Sequence, residues 1–346
     1  MNYYAGLDVS LNSTSVCVVD EEGRIVREAV APSEPVELTA FFAELAWPMK
    51  RVALEAGPLS QWLYDGLAEA GLPVVCAETR HMKAVLSATV NKSDRNDARG
   101  IAQMVRVNMI RPVHVKTLSS QRKRMLLTNR KFMQKQVCDV ETHIRGTLRN
   151  FGLKVGRTTR LRFEDRILAL VADQPALAAL VGPMLCAREQ LIESFLQLHE
   201  MMLDEVRSDP VCRRLMTVPG VGPVTALTYR ATVDVPARFA RSRSVGAHFG
   251  LTPRKWQSGE MDHNGRISKC GDVMTRTALY EAAGVLLTRT TRWSSLKAWA
   301  MQVAKRRGMA RARVALARRL AVILHRMWVD GSEFRWTRDD GAAATT

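Results

Sequence analysis

Two carboxylates sit where an apolar strand should bury its side chains. Asp8 lies in YYAGLDVS and Glu55 in RVALEAGP. Burying a carboxylate is costly unless it is paired or metal-bound. A second pair lies in KSDRNDARGIA, where Asp94 and Asp97 are three residues apart and so share one face of a helix. That pair has a plain reading, a helix start with Ser93 as N-cap and acids in the first turn. It also has a chemical one. Four acids at element ends of one α/β module form an all-oxygen donor set, with no histidine, suited to Mg2+ or Mn2+. Two such ions about 4 Å apart clamp the attacking and leaving oxygens of a phosphodiester. Without a cation, mutual repulsion raises the carboxylate pKa values, so such a site depends on metal. Taken singly, each acid keeps its ordinary explanation. Asp8 also suits the G-[LI]-D of sugar-kinase and actin-like ATPase strands, but the later glycine-rich phosphate loop of that fold is missing. Glu55 alone could cap a neighbouring segment.

The elements that must position these acids are legible from periodicity. Residues 3–30 read as strands YYAGLDVS, STSVCVVD and IVREAV, with EEGR as a turn. A helix over VELTAFFAELAW follows, then the strand RVALEAGP, the helix LSQWLYDGLAEAG, and the strand LPVVCAE. TRHMKAVLSATV and DRNDARGIAQMVRV read as helices. Strands first, then strands alternating with helices, predict a mixed α/β sheet covered by helices.

From about residue 117 the pattern becomes helical. A long helix with the stripe Leu126, Met133, Val137, Val140, Ile144, Leu148 and Phe151 is closed by Gly152. A second, from about Met184 to Val206, carries Leu191, Phe195, Leu198 and Met202. The two, joined by a basic and less regular segment, predict an antiparallel hairpin or coiled coil, either a subdomain core or an oligomerisation arm. CRRLMTVPGVGPVTALTYRATV then reads helix, turn, helix. Gly220 and Gly222 in its turn would leave backbone N–H groups at a helix N-terminus, a geometry that suits phosphate. The alternative is a helix pair with a glycine-rich turn. Three further basic helical stretches reach Trp328, and EFRWTRDDGAAATT is a polar tail.

Charge narrows the partners. The 346 residues carry a formal +17. The first hundred hold 14 acids and nine bases, so they contribute −5 and the remainder +22. Such asymmetry points to a polyanion, most often nucleic acid. No apolar stretch of about 18 residues exists to span a membrane. MNYYAGLDVS lacks the basic and apolar regions of a secretory signal. The expected place of work is the bacterial cytoplasm, with nucleoid association. The six cysteines form no C-x-x-C pair and have no histidine at zinc spacing, so buried thiols in a reducing compartment are expected.

D-x-S on the first strand, E-A-G after a later apolar strand, K-S-D-x-x-D-A-R on a helix, PGVG at 219–222, and FGLTPRKWQSGE followed by GRISKCGD occur in one order along nearly the whole chain. Together they resemble the DEDD-type insertion-sequence transposases, relatives of the Piv-type DNA recombinases. The resemblance implies a RuvC-like (RNase H-like) nuclease domain over 1–115 and a helical coiled-coil or oligomerisation domain over 116–207. It also implies a mainly helical transposase domain with a helix-hairpin-helix over 208–335, and a tail over 336–346. It assigns the family's metal-binding acidic positions to Asp8, Glu55, Asp94 and Asp97, and its serine nucleophile to Ser258. Phosphodiester cleavage through a phosphoserine intermediate, action on DNA, a structured guide RNA, and a homodimer or homotetramer are implied with it.

The surroundings of Ser258 are compatible with that role. The stretch WQSGEMDHNGRISKCGD is polar and glycine-rich and reads as a loop. Arg254, Lys255, Arg266 and Lys269 could neutralise a scissile phosphate and stabilise a serine alkoxide. An ordinary surface Ser-Gly turn is the plain alternative. Glu260, Asp262 and His263 follow the serine, and His263 could assist proton transfer. The competing activity is a metal-dependent, structure-specific endonuclease of the Holliday-junction kind, cutting by water attack without a covalent intermediate.

Overall fold

The computed structural model describes residues 1–87 and 91–336, and the chain divides into two compact units, 1–116 and 117–346. Residues 88–90 of the expected helix over 79–90, and the polar tail beyond Trp336, lie outside the described residues.

In the first unit the strands are β1 (Tyr3–Val9), β2 (Ser13–Val19), β3 (Ile25–Pro32), β4 (Met49–Glu55) and β5 (Val74–Ala77). The helices are α1 (Pro35–Leu45), α2 (Ser60–Glu69), α3 (Thr79–Leu86) and α4 (Asp94–Arg106). The strand order is β3-β2-β1-β4-β5. The first three strands pair antiparallel through short turns, whereas β4 and β5 run parallel to β1 and to each other. Parallel pairing requires crossovers, which α1 and α2 supply. The expected mixed α/β sheet is therefore observed.

Period-two alternation splits the sheet into two faces. Ala5, Leu7, Val16, Val18, Val52 and Leu54 pack under Leu38 and Phe42 of α1 and Leu63 and Leu67 of α2. The residues between them, Cys17, Val19 and Ala53, meet α4 through Ala98, Ile101 and Ala102. Each fully buried leucine or isoleucine here contributes roughly 1.5–3 kcal/mol. Asp8 and Glu55 fall in the second register, on the face that α4 covers.

The second unit holds α5 (Leu118–Arg149), α6 (Phe163–Val171), α7 (Pro175–Ser208), α8 (Pro210–Leu215), α9 (Pro223–Val233) and α10 (Arg243–His248). A hairpin follows, β6 (Pro253–Ser258) and β7 (Met261–Ile267), and then α11 (Val273–Thr288), α12 (Ser295–Arg307) and α13 (Met309–Asp330). One large core joins α9, α11 and α13 through Leu227, Tyr229, Leu279, Leu286, Leu316 and Leu320.

Helices α5 and α7 form an antiparallel pair: Lys123 meets Glu205, Arg130 meets His199, and Arg188 meets Glu141, so positions fall along one as they rise along the other. Arg188 is buried, with its guanidinium on Glu141 at 2.8 Å, on the Arg160 carbonyl at 2.7 Å, and over the Phe163 ring. The start of α5 is fixed by Asp234, whose carboxylate accepts from the Thr117 amide at 2.9 Å, the Thr117 hydroxyl at 2.7 Å and the Ser120 hydroxyl at 2.6 Å.

Three expectations need correction. Helix α7 begins at Pro175 rather than near Met184. Gly182-Pro183 looks like a break, yet Leu177, Val181 and Leu185 bury one continuous stripe against α5 and α6, which outweighs the missing hydrogen bond. The stretch around Ser258 is a two-stranded hairpin, not a loop; both strands are polar and exposed, so no buried face imprints alternation on the sequence. Only Cys17, Cys76 and Cys212 are buried, whereas Cys138, Cys186 and Cys270 are exposed, and no disulfide links any of the six. Among the described residues no helix is long and apolar enough to cross a membrane.

Candidate active site

The acidic site is set by a missing side chain. A Cβ on Gly6 would lie 2.3 Å from both the Ala102 amide nitrogen and the Ala98 carbonyl oxygen, so α4 rests directly on the β1 backbone. Asp8 is two residues on, on the same face of β1. Two strand residues advance about 6.8 Å and one helical turn about 5.4 Å, so the helix residues one turn before Ala98 arrive above Asp8. Those are Asp94 and its first-turn neighbour Asp97, with Ser93 as N-cap accepting from the Asn96 amide. On the other side, Leu7 is in register with Leu54, so Glu55 ends the adjacent parallel strand beside Asp8.

Asp8 feels the charge of the other three carboxylates. Burial lifts Asp8 to about 6, and repulsion from Asp94, Asp97 and Glu55 adds to the rise, while Lys92 opposes it. Glu55 is also raised, first by burial and then by Asp97, against a hydrogen bond from Thr79. A cleft of about 350 Å3 opens at these strand ends, lined by Asp8, Ser10, Glu55, Gly57 and Ser60. Among the described residues, no three aspartate, glutamate, histidine or cysteine side chains form a ready ion-binding group as they stand. The donor chemistry nonetheless fits a hard divalent cation: carboxylates only, with Asp8 and Glu55 partly desolvated and raised in pKa first by burial and then by neighbouring negative charge.

Sequence reasoning missed how α4 is held in place. Arg95 and Arg99 turn away from the acids to grip Glu28 of β3, Arg99 with Nε at 2.6 Å and a second nitrogen at 3.0 Å, and Arg95 with Nε at 3.0 Å. The two guanidiniums hold Glu28 at about 2, well below the usual range. The legible signal was the i, i+4 arginine pair, which shares a helix face with neither Asp94 nor Asp97.

The remaining residues singled out from the sequence belong to the second unit. Ser258 ends β6 at the hairpin tip, paired with Met261 across the turn at Gly259. Lys255 pairs with Asp262 at 3.0 Å, and Arg254 donates to the Ser268 carbonyl at 3.3 Å. Arg266 and Lys269 are exposed. The hairpin base is clamped backbone to backbone: Gly250 and Gly271 have φ of +66° and +71°, and a Cβ on either would strike the Cys270 or His248 carbonyl oxygen. Gly220 packs against α11, with a would-be Cβ 2.4 Å from the Ala282 carbonyl oxygen, while Gly222 opens to space as the N-cap of α9.

With this geometry, comparison with known proteins decides the class. Residues 212–300 match the family described as "Transposase IS116/IS110/IS902 family", and residues 5–152 match a DEDD transposase family described as "Transposase". The transposase for insertion sequence element IS1111A of Coxiella burnetii is 31% identical over 326 residues, covering 92% of this chain and 87% of that protein. The chain belongs to the IS116/IS110/IS902 transposase family. A probable family 20 transposase of Pseudomonas aeruginosa is 27% identical, covering 92% of this transposase and 94% of its own length. RuvC of Thermus thermophilus, solved in complex with a Holliday junction substrate, aligns over 33% of the transposase and all of RuvC, at 17% identity and a TM-score of 0.26. That score is too low to bear on the fold, which is described by its own strand order and register. As a transposase the chain is an enzyme of DNA cleavage and strand transfer.

Proposed function

We propose that the transposase cuts and rejoins DNA with Asp8, Glu55, Asp94 and Asp97 as a divalent-metal site on a RuvC-like sheet and Ser258 as the nucleophile. The observation that carries the reading is the register that ends β1 and β4 side by side at Asp8 and Glu55, beneath the first turn of α4 that bears Asp94 and Asp97. A bound Mg2+ or Mn2+ supplies charge neutralisation at a phosphodiester. Asp8 and Glu55 hold fixed positions because β1 and β4 are hydrogen-bonded, and Asp94 and Asp97 because the Glu28 clamp holds α4. The Ser258 oxygen gives up its proton and bonds to phosphorus as one P–O bond to the DNA chain breaks, releasing a strand end as a hydroxyl. Attack by another strand's hydroxyl on the phosphoserine reverses the step and rejoins DNA. Arg254, Arg266 and Lys269 neutralise the phosphate during both steps.

Partners follow from charge and exposed surface. The +22 outside the first hundred residues suits DNA, and it suits a structured guide RNA equally. Gly222 at the start of α9 offers backbone N–H groups to a phosphate, with Gly220 shaping the turn. Met125 and Phe132, two turns apart on one face of α5, are exposed apolar side chains that a homodimer or homotetramer would cover.

The test is a DNA substrate end-labelled at the element boundary, incubated with Mg2+ or Mn2+. The intact protein gives a denaturation-resistant protein–DNA adduct. Asp8→Asn keeps DNA binding and loses adduct and product. Ser258→Ala loses the adduct; if it cuts at an undiminished rate, the endonuclease reading replaces the nucleophile.

A further inference from the structure

We propose that one face of the β6–β7 hairpin is a nucleobase-stacking platform that holds an unpaired nucleotide next to Ser258. The inference rests on the nucleophile reading only for its position; the stacking itself stands apart from it. Trp256 pairs with His263 and Ser258 with Met261 across the hairpin, so these four side chains share one face. Lys255, Gln257, Asp262 and Asn264 take the opposite face, where Lys255 and Asp262 pair. Towards the hairpin tip the Ser258 face is open: Trp256 is 58% exposed and Met261 62%.

An exposed tryptophan on a two-stranded ribbon would ordinarily swing freely. Here it has a seat. Gly265 lies diagonally across from it, and a Cβ there would come within 2.3 Å of Trp256 Cζ3. The indole edge at Cζ3 therefore rests against a bare glycine backbone, and the side chain stays more than half exposed. An exposed ring whose edge is held against the backbone is organised to receive a flat π-system before any ligand arrives. Arg254, Arg266 and Lys269 surround the ribbon, so the occupant is anionic as well as flat, which describes a nucleotide and not an apolar protein surface. Base–aromatic stacking tolerates any base, since each has a π-face. A base pulled from the duplex onto Trp256 would leave its neighbouring phosphate at the next same-face position, that of Ser258.

The probe is a single-stranded oligonucleotide carrying 5-iodouracil, photo-crosslinked to the full-length protein, with affinity measured in parallel. The crosslink is expected to map to Trp256. Trp256→Ala is expected to lose it and to bind at least about fivefold more weakly, the lower end of stacking contributions. Trp256→Phe retains most of the affinity. Gly265→Ala keeps the melting temperature within error but displaces the indole tip and lowers crosslinking. Ser258→Ala leaves crosslink and affinity unchanged, which separates this proposal from the nucleophile reading. Equal affinity in Trp256→Ala, or a crosslink mapping elsewhere, overturns the platform. A change of oligomeric state in Trp256→Ala without loss of crosslinking elsewhere overturns it too and assigns the ring to a protein contact.

Discussion

Asp8 and Glu28 titrate in opposite senses on the sheet face beneath one helix. Asp8 is raised from its ordinary 3.8 to about 6, so the folded protein holds a proton there more tightly than the unfolded chain. Its contribution to stability is greatest below about pH 4 and is lost as pH rises through 6. Asp8→Asn is therefore expected to melt higher than the parent at pH 7–8 without divalent ions, with the gap closing near pH 4, as followed by thermal denaturation. Glu28 is depressed from 4.5 to about 2 by Arg99 and Arg95. Its contribution is full above pH 4.5 and fades as pH falls towards 2. Glu28→Gln should thus melt lower than the parent at neutral pH and converge with it in acid. Asp8 and Glu55 were legible in the sequence because a carboxylate inside an apolar strand is an anomaly. Glu28 was not, because its strand IVREAV lies at the sheet edge, where charged side chains are ordinary.

Elements were legible wherever they bury one face. Strands β1, β2, β4 and β5 and helices α1, α2, α4 and α5 all follow from periodicity, because packing stamps alternation onto them. The hairpin escaped because all of it beyond its base is exposed, and the first quarter of α7 escaped because Gly182-Pro183 imitates a boundary. The contact between β1 and α4 makes the sharpest element-scale prediction. Gly6→Ala must push α4 off the strand, at a cost of about 1–3 kcal/mol in chemical denaturation. It should reduce cleavage more than DNA binding, since Asp94 and Asp97 travel with the helix. At the helix pair, Arg188→Ala strands Glu141 and removes a buried ion pair. A loss of about 2–4 kcal/mol is expected, read as an earlier unfolding transition in denaturant.

At the scale of the molecule, charge is segregated by sequence: −5 in the first hundred residues and +22 beyond. Nucleic-acid affinity held by counterion release should fall steeply with salt, by roughly a thousandfold or more between 50 and 200 mM for six or more phosphate contacts. A titration of DNA binding against salt checks this. Substitutions in the acidic quartet should leave its slope unchanged, because those residues meet no phosphate without metal. The composition made this much legible; the proposed roles of Ser258 and the acids, which fall in different units, rest on a resemblance of motifs, since no periodicity reports them.

The ribbon carrying Ser258 is anchored at its root by main-chain contacts through Gly250 and Gly271, while its outward residues support no core. Mutation there is thus decoupled from foldability. Insertion elements colonising new sites could retune this finger one residue at a time at negligible thermodynamic risk, whereas equivalent drift at Gly6 or Ala98 would be purged. Across descendants of one element, invariance along the finger would accordingly report chemistry, because folding does not demand it.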